Sequence, residues 1–83
     1  MQIKFTQAAR KHRIGKAHAL FVIENNPFFV VTDEVGRVQR VWQGLDDRGV
    51  ELEVIAVVLK EYLLVTHVMP ANFRRRKKTW GPK

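Results

Sequence analysis

The sequence predicts an α+β domain in which two N-terminal helices pack on a four- to five-stranded antiparallel sheet. Three observations lead to this fold class. Residues 7–25 carry two helix-forming segments, residues 28–69 alternate between β-rich runs and short turns, and 83 residues suffice for one core. We therefore expect residues 1–76 to form a single domain and residues 77–83 to be a basic, disordered tail.

The N-terminal part is expected to begin with a short strand and to continue into the first helix. In the stretch "QIKF", Ile3 and Phe5 alternate with polar residues, which favours a strand. Thr6 is a good N-cap for a helix over residues 7–13. Gly15 is then expected to end that helix in the left-handed conformation.

A second helix and four further strands follow along the chain. Residues 16–25 space their apolar side chains three to four apart and end before Pro27, which favours a helix. Beyond it, β-branched and aromatic runs alternate with short turns. They lie at residues 28–33, 37–45, 50–59 and 62–69. Pro70 is expected to close the last strand because it lacks the N–H that a ladder needs.

The turn lengths predict how the last three strands pair. The pairs nearest the turns are Leu59 with Tyr62 and Leu45 with Val50. Extended along the strands, this register places Val54 opposite both Val41 and His67 on the face that packs the helices. Arg40 and Trp42 are expected on the other face, which is apolar enough to suggest a partner surface. The predicted core includes Leu52, Val54, Val65 and Phe21.

The charge is distributed unevenly along the sequence. The net charge is +7, and residues 1–16 and 74–83 hold eleven of the fifteen basic residues without a single acid. If the fold brings the two ends together, they form a positive lobe that would concentrate RNA or DNA. If it does not, they are two separate solvated patches.

Several kinds of chemistry are excluded or left without support by the composition. The chain has no cysteine and no serine, so disulfides, thiolate metal sites and serine nucleophiles are excluded. Neither a glycine-rich phosphate loop nor metal-ligand spacing occurs, and we expect no cofactor and no metal. Without a long apolar run or a signal-peptide pattern, a cytoplasmic location away from the membrane is expected.

Two histidines and two arginines are the candidate catalytic residues: His67, His12, Arg40 and Arg74. Both histidines also fit simpler roles, His12 as an exposed helix residue and His67 as a hydrogen-bonded core residue. Such a set cleaves RNA without metal when the ribose 2′-OH attacks the neighbouring phosphorus. The protein then supplies a base, a proton for the leaving oxygen and cations for the phosphorane.

Further basic residues are candidates for holding the RNA backbone, namely Lys11, Arg13, Arg75, Arg76 and Lys77. Among the acids, Glu51 and Glu53 share a strand face. They are expected to be solvated or paired with Arg40.

Three stretches resemble a known family, the BrnT-type toxins of bacterial toxin–antitoxin modules within the RelE-like ribonuclease group. They are "RKHRIGKAHALFVIENNP" (10–27), "RVWQGLDDRGVELEVIAVVL" (40–59) and "VTHVMPANFRRR" (65–76). The resemblance implies a RelE-like fold and an mRNA-cleaving ribonuclease. It also implies a cognate antitoxin protein that silences the enzyme in a hetero-complex.

Two other classes of function remain open at this point. A non-catalytic RNA- or DNA-binding module needs the cations without a proton-transfer residue. An inactive toxin-like interaction protein needs only the mixed sheet face.

Overall fold

The computed structural model describes residues 2–11 and 13–71. In order along the chain, the elements are β1 (Gln2–Phe5), a 3-10 helix (Ala8–Arg10), α1 (Lys16–Asn25), β2 (Phe28–Thr32), β3 (Val38–Leu45), β4 (Glu51–Val58) and β5 (Tyr62–Pro70). The α+β class is confirmed, and α1 has the bounds predicted for the second helix. No helix among the described residues is long and apolar enough to cross a membrane.

The prediction of an α-helix over residues 7–13 is wrong. The Thr6 hydroxyl accepts the N–H of Ala9, as an N-cap does, but only one 3-10 turn follows. Ala9 is the one buried residue of that turn, so the segment lacks the apolar stripe that stabilises an α-helix. The left-handed residue is Arg13, with a φ of 59°, while Gly15 is extended.

The five strands form a mixed sheet in the order β1-β5-β4-β3-β2. The prediction of a wholly antiparallel sheet is wrong at β1, which runs parallel to β5. All of α1 and three strands separate β1 from β5 in sequence, and so long a connection permits parallel pairing. The other three pairs of neighbouring strands are antiparallel.

The predicted register between β3 and β4 is wrong by one residue. Leu45 pairs with Glu51 rather than with Val50, which moves Trp42 opposite Val54. The cause is the turn, because Gly49 takes a φ of 82° and closes a three-residue loop instead of a four-residue one. A one-residue slip reverses which face each side chain of a strand occupies.

A β-bulge changes the faces within β5. The predicted pairing holds from Leu59 and Tyr62 as far as Ala56 and Val65, and then the register shifts. Beyond the shift, His67 pairs with Ile55 rather than with Val54. The extra residue lets Val68 join Val65 in the core and turns His67 to the opposite face, which avoids burying a polar ring among aliphatic side chains.

The core lies between the sheet and the layer formed by α1 and the 3-10 helix. The fully buried residues Leu52, Val54 and Val65 confirm the core prediction at three positions. Phe21 is 37% exposed, so its predicted core position is wrong. Ala19 and Val22 make the buried contacts of α1 instead.

Candidate functional site on the open sheet face

The sheet face directed away from α1 is called the open face. The name says only that α1 does not cover it, because Val41, Glu53 and Val57 on this face are buried. The pairing places Val41, Ile55 and His67 in one row across this face, and Gln43, Glu53 and Met69 in the next row. A small polar group therefore lies on three adjacent strands of this face, with apolar side chains on one side of it and Glu51 on the other.

The polar group on the open face consists of His67, Glu53 and Gln43. The His67 Nε2 atom lies 3.2 Å from Glu53 Oε1, and the Gln43 amide donates to Glu53 Oε2 over 3.0 Å. Glu53 is only 3% exposed, whereas the His67 side chain is 31% exposed. A fixed carboxylate behind a reachable imidazole is the arrangement that orients a histidine for proton transfer.

Glu53 and Gln43 are the site residues that sequence reasoning missed. Glu53 was expected to be solvated or paired with Arg40, yet it is buried and lies on the face opposite Arg40. The signal was present in the turn, because the Asp-x-x-Gly pattern from Asp46 to Gly49 favours a three-residue loop with a left-handed glycine. That loop brings Gln43 directly opposite Glu53.

Arg40 and His67, two of the predicted catalytic residues, lie on opposite faces of the sheet. Arg40 pairs with Ala56, a fully buried residue of the helix-covered face. Its guanidinium lies 4.4 Å from the ring centroid of Phe28, in a cation–π contact. The fold therefore does not bring Arg40 and His67 to a single reaction centre.

The parallel pairing of β1 with β5 places the residues that follow β1 at the end of the sheet where β5 ends. The two strands are neighbours and run in the same direction, so the chain leaves both at that end. The basic segment, residues 10–16, follows β1, and the basic residues after 73 follow β5. Of the predicted binding residues, Lys11 and Arg13 are exposed there, and neither makes an ion pair with the described acids.

The other predicted site residues lie outside the part of the chain that the structure describes. They are His12, Arg74, Arg75, Arg76 and Lys77, together with the tail predicted at residues 77–83. Their roles stay predictions.

Two hairpin turns share one construction and hold two of the arginines. In each turn the first aspartate, Asp33 or Asp46, accepts two backbone N–H groups with Oδ1 and an arginine side chain with Oδ2. The arginines are Arg37 and Arg48, both bound within their own turn. Both guanidinium groups therefore stabilise their own turns.

The pKa of both turn carboxyls is lowered. For Asp33 the main cause is the hydrogen bond from the backbone N–H of Arg37. Burial, the second-largest effect, acts to raise the pKa, and the Arg37 side chain and the N–H of Val35 add to the lowering. For Asp46 burial acts to raise the pKa, but the bonds from Arg48 and from the N–H of Val50 outweigh it.

A second histidine–acid group lies at the turn between β3 and β4. The possible ligand atoms of His18, Asp46 and Asp47 lie within 4.8 Å of one another, as in a metal site. The Asp46 carboxylate, however, already accepts Arg48 through two nitrogens and two backbone N–H groups. A cation there would sit beside the guanidinium, so the group is better explained as a His18–Asp47 contact that holds the start of α1 to the turn.

Comparison of the chain with protein-family models, with curated proteins and with solved structures finds no significant match.

Proposed function

We propose that this protein is a metal-independent endoribonuclease whose reaction centre is the His67–Glu53 pair on the open face. The observation that carries the proposal is the contact of 3.2 Å between a reachable imidazole and a buried carboxylate, which Gln43 holds in place. The sequence resemblance to ribonuclease toxins agrees with this chemistry. On that basis the biological role proposed is that of a toxin silenced by a cognate antitoxin.

The proposed reaction uses the two ring nitrogens of His67 differently. An ionised carboxylate only accepts hydrogen bonds, so Nε2–H donates to Glu53 and Nδ1 is left as the unprotonated nitrogen. Nδ1 takes the proton of the ribose 2′-OH while that oxygen attacks phosphorus and the bond to the 5′-oxygen breaks. Water gives the leaving 5′-oxygen its proton, and the imidazolium then returns its own proton to water. The negative charge of Glu53 stabilises the imidazolium that results.

The cations for this reaction come from two places in the proposal. Lys4 pairs with Leu64, on the same side of the sheet as His67, and its ammonium lies 4.4 Å from the ring centroid of Tyr62. Arg74 follows β5 in sequence and remains the predicted partner of the phosphorane. Arg40, which faces the other way, is left with a binding or packing role.

A second candidate function is a non-catalytic RNA-binding module. The separation of Arg40 from His67 favours it, because two predicted catalytic residues cannot then act on the same phosphate. In this alternative the basic segment binds the RNA backbone and the His67–Glu53 pair only stabilises the sheet.

The test is cleavage of a fluorescent single-stranded RNA in excess chelator by the wild type and by His67→Gln. Glutamine keeps an N–H for Glu53 but cannot exchange protons near neutral pH, so cleavage should stop while folding and RNA affinity persist. His18→Gln is the matched control, since His18 also contacts an acid but belongs to α1 and reaches Asp47 in the turn between β3 and β4.

Two outcomes would decide against the ribonuclease. If the wild type binds RNA without cutting it, the binding module is correct. If His67→Gln cuts as fast as the wild type, the reaction centre lies elsewhere. The toxin role has its own test, because expression of the wild type alone should inhibit growth of a bacterial host and expression of His67→Gln should not.

A further inference from the structure

The edge formed by β2 is an unprotected, apolar strand. Among the described residues no strand pairs with its outer side. All five residues of "FFVVT" are exposed, with Phe29 at 51% and Val30 at 57%. The strand has no charge, no proline and no bulge to discourage pairing, and strands of this kind associate with another strand.

The opposite edge of the sheet differs in length, charge and exposure. β1 is only four residues long and carries Lys4, and the basic segment follows it. Short length and lysine are the usual means of protecting an edge. The sheet therefore has one edge protected against pairing and one edge suited to it.

The hydrogen-bonding pattern shows which groups of β2 are available. The N–H of Asp33 donates to the carbonyl of Arg37, so these two residues form a hydrogen-bonded pair. Such pairs alternate along an antiparallel ladder, which assigns the bonds to β3 to Val31 and Phe29. The residues that direct their N–H and C=O groups outward are Phe28, Val30 and Thr32.

We propose that two copies of this chain pair through β2, antiparallel and with Val30 on the two-fold axis, to form one continuous sheet. In this register the three outward residues form hydrogen-bonded pairs with their counterparts. Phe28 meets Thr32 across the axis, and Phe29 meets Val31 on the open face. Aromatic with β-branched pairs are favourable neighbours across strands.

The charge distribution favours a second copy as the occupant of this edge. β2 has no charged residue, so pairing sets no like charges opposite each other. The basic segment follows β1, the strand farthest from β2, and nine strand spacings separate the two β1 strands by about 43 Å. Because salt screens charges over about 10 Å at 0.1 M, the two positive ends do not repel each other appreciably.

The experiment compares the mass of the wild type and of two variants by light scattering and sedimentation. The wild type should be a dimer of the 9.7 kDa chain. Val30→Glu places two carboxylates opposite each other at the axis, while within one chain the new side chain faces Arg40. Val30→Pro removes only an N–H that points outward, which an edge strand tolerates. Both variants should be monomers with unchanged circular dichroism.

The matched control is Val35→Glu, the same substitution at a residue that is 75% exposed in the turn after β2. It should remain a dimer. The proposal is wrong if the wild type is monomeric over the whole concentration range. This holds even if β2 then binds a strand of another protein. A dimer that Val30→Glu and Val30→Pro leave intact would also overturn the proposal.

Discussion

Glu53 is a charged side chain, 3% exposed, on a sheet face that α1 does not cover. Its carboxylate accepts the Gln43 amide and contacts His67. A buried carboxylate is tolerated when its oxygens have hydrogen-bond partners, and loss of one partner leaves an uncompensated charge. The site and the stability of the sheet are therefore linked at this residue.

Replacing His67 by alanine should lower the free energy of unfolding by about 1–3 kcal/mol, because the buried carboxylate loses a hydrogen-bond partner. His67→Gln should cost less, since its amide can still donate. Urea denaturation measures both. His18→Ala is the control, because Asp47 is far more exposed than Glu53, and it should cost less than about 1 kcal/mol. Equal losses of unfolding free energy in His67→Ala and His18→Ala would show that Glu53 does not need its contact with His67.

Asp46 gives a prediction about acid unfolding. Its pKa is lower in the folded chain than the ordinary value of 3.8, so its contribution is complete above that value and disappears as the pH falls through the folded pKa. Asp46→Asn should reduce stability near neutral pH and make the curve of stability against pH less steep below about pH 4. Thermal unfolding from pH 2 to 7 measures this. If the variant and the wild type have the same slope of stability against pH below about pH 4, Asp46 keeps its ordinary pKa in the folded chain.

At the scale of elements, sequence patterns gave the positions of α1 and all five strands closely, because periodicity and turn residues act locally. They failed on the faces of β3 and on the end of β5. Each failure depends on a single residue, the left-handed Gly49 in one turn and the bulge before His67. A shift of one residue exchanges the two faces of a strand, so the conformations of these two short segments determine which side chains meet at the site. The site partners Gln43 and Glu53 were missed for the same reason.

Gly44 gives a test of how α1 docks on the sheet. A Cβ atom at Gly44 would lie 2.2 Å from the Asn26 side-chain oxygen, and the Asn26 amide donates to the carbonyl of Val22 at the end of α1. Gly44→Ala should therefore cost about 1–3 kcal/mol in chemical denaturation.

Two further variants separate crowding from other effects at Gly44. In an Asn26→Ala background the added methyl should cost much less, because the crowded side chain is gone. Gly15→Ala is the control, since its nearest contact would be an ordinary 3.6 Å and its φ is negative. Additive costs of Gly44→Ala and Asn26→Ala would rule out their contact as the cause.

At the scale of the whole molecule, the parallel pairing of β1 with β5 determines where the basic segment lies. Sequence left open whether the two basic ends come together, because the direction of β1 cannot be inferred from turn lengths. The fold places the basic segment, which follows β1, at the end of the sheet where β5 ends, while Arg37 and Arg48 are bound to aspartates. Lys11 and Arg13, the described residues among those predicted to bind RNA, lie at that end of the sheet.

This distribution predicts an uneven effect of single cations on RNA binding. Lys11→Gln should weaken binding and reduce the slope of log affinity against log salt by about 0.7, the value for one phosphate contact on a single strand. Lys60→Gln is the matched control, because Lys60 lies in the turn between β4 and β5, at the other end of the sheet. Fluorescence anisotropy at several salt concentrations gives both slopes. Equal slopes for the two variants would argue for diffuse charge attraction.

The most direct measurement of the central claim is the chemistry of the RNA ends that the wild type produces in excess chelator. An oligonucleotide with a single ribose among deoxyriboses should be cut only after that ribose, leaving a 2′,3′-cyclic phosphate and a free 5′-hydroxyl, because the 2′-OH is the nucleophile. His67→Gln should leave the same oligonucleotide intact. Cleavage at deoxyribose positions, 5′-phosphate ends, or activity that disappears with chelation would contradict acid–base catalysis at the His67–Glu53 pair.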